Sequence, residues 1–134
     1  MYEGGCLWGA MRYRVEGELR PVIACHCQQC RRTSGKYVTA TSCVRNAIET
    51  TGDVSWYKSS DDARRGFCPT CGSQLFWNGP DAHLSIMAGT LDDATGLSIG
   101  AHIFCADKGA YCEITDGLPQ APADDAVMTT QVPL

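Results

Sequence analysis

Gly66-Phe67-Cys68-Pro69-Thr70-Cys71-Gly72-Ser73-Gln74-Leu75-Phe76-Trp77 sets a Cys-x-x-Cys pair between two apolar runs. Two cysteines separated by two residues let a tight turn aim both sulfurs at one ion, and Gly72 supplies the positive φ that such a turn tends to need. Apolar and aromatic residues on either side read as strands, so the knuckle is the tip of a hairpin-like connection. Two thiolates are half of a tetrahedral site, and the other ligands must come from elsewhere in the chain.

Working outward, strands recur at short intervals. Ala10 to Val15 alternates, with Met11, Tyr13 and Val15 on one face and Arg12 and Arg14 on the other, and it ends at Gly17. Val22-Ile23-Ala24 delivers the chain into Cys25, Tyr37 to Val44 is rich in β-branched residues, and Val54 to Tyr57 follows the Thr51-Gly52-Asp53 turn. Asp61-Asp62 marks a loop and Asn78-Gly79-Pro80 a turn; Leu84 to Ala88 and Ile99 to Phe104 are the last strands, with room for one helical turn over Asp92 to Gly96. Fourteen glycines, six prolines and no sustained helical period place the chain in the all-β class, mainly β with short helical turns. With 134 residues it fits one domain, read as residues 1–120 with a surface tail of little fixed structure over 121–134.

Composition excludes several function classes. A formal net charge of -4 offers no general attraction to phosphate backbones or anionic lipid, so neither nucleic acid nor membrane is an expected partner. Met1-Tyr2-Glu3-Gly4-Gly5 has neither a basic region nor an apolar run, and a cytoplasmic location is expected. In that reducing compartment nine cysteines point to metal rather than to disulfides.

Cys25-His26-Cys27-Gln28-Gln29-Cys30 is the second cysteine group. On an extended stretch Cys25 and Cys27 share a face, and a turn after Cys27 brings Cys30 round to the same ion. Three protein ligands leave a fourth position open, the mark of a catalytic zinc site. The alternative is one closed four-cysteine site in which two of these sulfurs join the knuckle. His26 points the other way along the strand, so it is not a ligand, though it is a candidate to move a substrate proton. Zinc with three thiolates carries a charge of -1, and an incoming thiolate makes it -2; Arg31, Arg32 and Lys36 are the cations expected to offset this and to bind an anionic substrate. For Arg64 and Arg65, ahead of the knuckle, solvation is the expected state.

Four blocks together resemble the glutathione-dependent formaldehyde-activating enzyme family, which includes centromere protein V. They are Gly4-Gly5-Cys6-Leu7-Trp8-Gly9-Ala10-Met11-Arg12-Tyr13, Cys25 through Gly35, Phe67 to Leu75, and Ile114-Thr115-Asp116-Gly117-Leu118-Pro119. The resemblance implies a zinc fold similar to methionine sulfoxide reductase B with two metal sites. One site draws on Cys6, position 8, Cys68 and Cys71; the other, associated with glutathione, draws on Cys25, Cys27 and Cys30. It also implies a carbon–sulfur lyase similar to S-(hydroxymethyl)glutathione synthase, joining or separating a small thiol and an aldehyde such as formaldehyde. A non-catalytic zinc-stabilised binding module is the competing reading, and a cysteine redox sensor a third. Position 8 is Trp, whose indole N–H only donates and cannot ligate zinc, so water, metal loss or a spare sulfur among Cys43, Cys105 and Cys112 must account for the difference.

Overall fold

A computed structural model describes residues 1–92 and 95–134. In chain order the strands and helix are β1 (Tyr2–Gly5), β2 (Arg12–Val15), β3 (Val22–Cys25), α1 (Gln28–Ser34), β4 (Val38–Val44), β5 (Ile48–Thr51), β6 (Ser55–Ser60), β7 (Ala63–Phe67), β8 (Gln74–Asn78), β9 (His83–Met87) and β10 (Ile99–Ile103). Short 3-10 turns follow β4, β9 and β10. The all-β reading holds, with one short helix. The helical turn expected over Asp92 to Gly96 includes Asp93 and Ala94, which lie outside the described residues.

The strands form two sheets. A small one has the order β1-β2-β5, and a larger one has the order β10-β3-β4-β9-β8-β7-β6, with β10 parallel to β3 and the other paired neighbours antiparallel. The core lies between them. Met11, Tyr13 and Val15, the apolar face read from the alternation, meet Cys43, Leu75, Phe76, Leu84 and Ile86 from the larger sheet. Tyr13 crosses Phe76 edge to face at a centroid distance of 5.5 Å, and its hydroxyl bonds Thr90 Oγ1 at 2.7 Å. Burial pushes that phenol up to about 12, so it is neutral throughout the ordinary pH range. Gly4 on β1 is obligatory here, because a Cβ would collide with the Thr90 carbonyl and the Tyr13 hydroxyl.

Strand alternation then assigns the opposite face of the larger sheet to different work. Leu84 and Ile86 of β9 enter the core, whereas Ser85 and Met87 look into a cavity; on β8 Phe76 is core and Trp77 is cavity. The chain beyond Pro119 completes that face and is not a free tail. It forms no helix or strand, but Ala121 is buried and its N–H donates to the His102 carbonyl, while His102 N–H donates to the Pro119 carbonyl, both at 2.9 Å. Farther on, Gln131 hydrogen-bonds Ser42, and the Val132 carbonyl meets His83 Nε2 at 2.8 Å. The apolar Ala121 and Met128, which pack on Ile23 and Ile103, give this stretch an anchor that its Pro, Ala and Asp content conceals.

Candidate metal centres and the cavity

The knuckle is a turn between β7 and β8. Cys68 N–H donates to the Ser73 carbonyl at 3.0 Å, Gly72 N–H donates to the Cys68 carbonyl at 2.9 Å, and Gly72 takes φ 76°. Cys6, just after β1, joins it: the sulfurs of Cys6, Cys68 and Cys71 all lie within 4.8 Å of one another. Backbone donors converge on them. Gly9 and Met11 N–H reach Cys6 Sγ at 3.3 and 3.4 Å, and with Met11 foremost they pull its thiol down. The Ser73 hydroxyl, the Ser73 N–H and the Trp8 N–H hold the Cys71 thiol at about 6.

Position 8 thus contributes its backbone, while the Trp8 side chain is 64% exposed. Among the described residues no spare sulfur replaces it, for Cys43, Cys105 and Cys112 stand outside the group. Cys43 is fully buried in the core and its thiol is raised to about 11 by that burial; Cys112 is buried elsewhere.

The second triad is separate, so the single closed four-cysteine site does not form. Cys25 is the last residue of β3, where it pairs with Val38 of β4 and Ile103 of β10. Cys27 caps α1, its Sγ accepting the Cys30 N–H at 3.3 Å, and Cys30 lies in the first turn of the helix. Their three sulfurs also lie within 4.8 Å of one another. Cys27 is drawn toward the thiolate by hydrogen bonds from Cys25 and then Cys30, with Arg65 adding its charge. A mutual spacing near that of sulfurs on a tetrahedral ion, three soft donors, and N–H groups aimed at sulfur fit zinc in either triad. All nine cysteines are free.

A helix stands where the sequence suggested a turn, and this redirects the cations. Arg32 and Lys36 are solvent-exposed, Arg31 is half-buried, and none of the three lines the cavity. Lys36 instead sits 5.2 Å over the Tyr37 ring. The cation beside the triad is Arg65 on β7, 6% exposed, which donates to Gln29 Oε1 at 3.2 Å and to Cys30 Sγ at 3.6 Å. Its partner across the ladder is Trp77, also in the cavity lining, whereas Arg64 faces away and covers Trp56. The expectation of a solvated residue fails for Arg65 because β7 alternates and position 65 falls on the inner face.

His26 is also removed from the reacting face. Its ring is fully buried, stacked at 4.6 Å on Tyr37, with Nε2 sharing a 2.8 Å hydrogen bond with His102 Nδ1. His102 Nε2 in turn meets Asp116 Oδ2 at 2.7 Å and holds that carboxyl below its usual range. With His102 donating to Asp116, His26 donates to His102, and its own Nδ1 is buried without a partner. Burial, then the neighbouring His102, pushes the His26 imidazole down, toward the neutral form. This chain of three side chains fixes the backbone between Cys25 and Cys27, and His26 does not line the cavity, so the substrate-proton role expected of it gives way to positioning. Sequence reasoning missed His102, which stands 76 residues away.

The cavity in front of Cys25, Cys27 and Cys30 measures about 720 Å³, within the size range of small-molecule sites. Trp77, Met87 and Val38 form apolar lining, Arg65 and Arg20 bring positive charge, and the segment from Asp124 to Gln131 contributes to the wall.

The family model described as glutathione-dependent formaldehyde-activating enzyme matches residues 1–107. The chain belongs to this family. A Schizosaccharomyces pombe protein named as an uncharacterized lyase is 30% identical over 111 residues, covering 80% of each chain. A crystal structure of a Rhodobacter sphaeroides protein, 22% identical, aligns with a TM-score of 0.57 over 69% of this chain and 90% of its own, which is a likeness of fold. Both triads and the cavity-facing Arg65 fall inside the family match, whereas the wall from Asp124 to Gln131 lies beyond it. No helix among the described residues is long and apolar enough to cross a membrane.

Proposed function

We propose that the protein is a zinc-dependent carbon–sulfur lyase that joins glutathione, or a similar small thiol, to a small aldehyde such as formaldehyde, or separates the adduct. The observation that carries this reading is the Cys25/Cys27/Cys30 triad set in a cavity of about 720 Å³ with a buried guanidinium on one of its sulfurs. Family membership and the lyase name of the yeast relative support it. Zinc bound by those three thiolates would lower the pKa of an incoming thiol and leave it room to bind.

Arg65 offsets the negative charge that a further thiolate adds, from a site where water screens little. Trp77 and Met87 give the cavity an apolar wall suited to a small aldehyde. In the forward direction the thiolate sulfur forms a bond to the carbonyl carbon, the π pair moves to oxygen, and that oxygen takes a proton. In reverse the hydroxyl gives up the proton, the carbon–sulfur bond breaks, and the pair returns to sulfur. The Cys6/Cys68/Cys71 triad holds structural zinc in this reading.

The test is zinc stoichiometry on the wild type and on Cys27→Ala, followed by calorimetric titration with glutathione and by turnover of its formaldehyde adduct. Loss of one zinc, of glutathione binding and of turnover in Cys27→Ala is the expected result. Unchanged zinc content together with no glutathione binding by the wild type would refute the proposal and favour the binding-module reading.

A further inference from the structure

Arg20 lies between Leu19 and Pro21, ahead of β3, and is 7% exposed. Its main chain is tied to β4, with N–H on the Ser42 carbonyl at 3.0 Å and its own carbonyl accepting from the Thr41 hydroxyl. The side chain reaches the cavity, where Nη2 donates to the Ala40 carbonyl at 3.1 Å and Nε is buried without a partner. Among the described residues no carboxylate lies within ion-pair distance of it: the salt bridges present involve Arg12, Arg14, His83 and His102. Asp124 and Asp81, in the same lining, act on it only at longer range.

A buried guanidinium is costly unless an anion and hydrogen bonds compensate it. Arg65, the other buried guanidinium of the cavity, has Gln29 and the Cys30 sulfur. Arg20 has one carbonyl, on Nη2, and no carboxylate; its Nε is enclosed by protein, which leaves the terminal end of the guanidinium to meet a carboxylate in the cavity. We infer that Arg20 is a specificity-determining residue of this cavity: it binds a carboxylate of the thiol whose sulfur is handled by the Cys25/Cys27/Cys30 triad and so favours acidic over neutral thiols. This rests on the small-thiol reading above. Glutathione meets the requirement with two carboxylates, and a neutral thiol such as 2-mercaptoethanol does not.

The experiment measures binding of glutathione and of glutathione diethyl ester, which keeps the thiol and lacks both carboxylates, to the zinc-loaded wild type, Arg20→Gln and Arg20→Lys, with circular dichroism to confirm folding. The wild type should bind glutathione about tenfold more tightly than the ester, the value of a charge-assisted hydrogen-bonded pair. Arg20→Gln should bind the two alike, and Arg20→Lys should keep part of the preference. A wild type that binds acid and ester equally overturns the role of Arg20 while leaving the thiol reading intact. A preference that survives undiminished in Arg20→Gln also overturns it, because another group must then read the carboxylate. If neither compound binds the wild type, the thiol reading fails and this inference with it. If Arg20→Gln does not fold, Arg20→Lys decides: a reduced preference supports the inference and an unchanged one overturns it.

Discussion

The Cys6/Cys68/Cys71 and Cys25/Cys27/Cys30 triads each bring three sulfurs within 4.8 Å of one another, yet they stand in opposite surroundings. Behind the first lies the main core, with Met11, Leu75 and Phe76, and its sulfurs are ringed by backbone N–H groups from Gly9, Met11 and Trp8. Before the second lies a cavity with a guanidinium on Cys30. On the proposed function, ligand identity does not separate a structural centre from a reacting one; the shell around the sulfurs and the empty volume in front of them do.

The largest effects should divide along that line. Cys27→Ala should lower turnover of the thiol–aldehyde adduct about a thousandfold or more, since it removes the several kcal/mol that metal-ion catalysis supplies, while costing about 1 kcal/mol of stability through the lost helix cap. Cys68→Ala should do the reverse, costing about 3 kcal/mol of stability and lowering Tm by about 10 °C in differential scanning fluorimetry. If both variants lost stability equally and turnover alike, the distinction between the triads would collapse. Arg65→Met should weaken glutathione binding and zinc affinity at the cavity triad about tenfold, read by calorimetry and chelator competition, with the knuckle triad unaffected.

Trp8→Cys sharpens the comparison from the other side. A fourth sulfur at position 8 should slow zinc release from the knuckle triad to a competing chelator several-fold and leave the cavity triad unchanged. Unchanged release would mean that the site is already complete. The smallest effect concerns Tyr13 in the core that backs the knuckle. Its pKa is raised from an unfolded value near 10 to about 12, so its contribution is fully present below pH 10 and is lost as pH rises from 10 to 12. Urea unfolding midpoints across that window should fall for the wild type and fall less steeply for Tyr13→Phe.

Much of this was legible in the sequence, and the parts that were not have physical causes. Spacing alone grouped Cys25, Cys27 and Cys30, because residues so close in sequence need only a turn to meet. Alternation gave Met11, Tyr13 and Val15 their burial, and positive-φ Gly72 marked the knuckle. The helix Gln28–Ser34 was hidden because it has seven residues and is capped by a cysteine sulfur, an uncommon cap. With the helix unseen, the cations adjacent in sequence, Arg31, Arg32 and Lys36, took the place of Arg20 and Arg65, which reach the cavity only through sheet pairing. The His26–His102–Asp116 chain depends on the parallel pairing of β10 with β3, a contact between distant segments that no local pattern announces.

One consequence follows from the chain beyond Pro119. The sulfurs that would do the chemistry sit on the sheet and helix of the family-matched region, while part of the cavity wall, Asp124 to Gln131, belongs to a terminal stretch held by a few polar bonds and by the apolar Ala121 and Met128. On the proposed function, part of the selectivity is thereby written on a stretch that carries no metal ligand. Exchanging one terminal segment for another is a route by which a single thiolate centre could acquire new substrates without revising a single metal ligand.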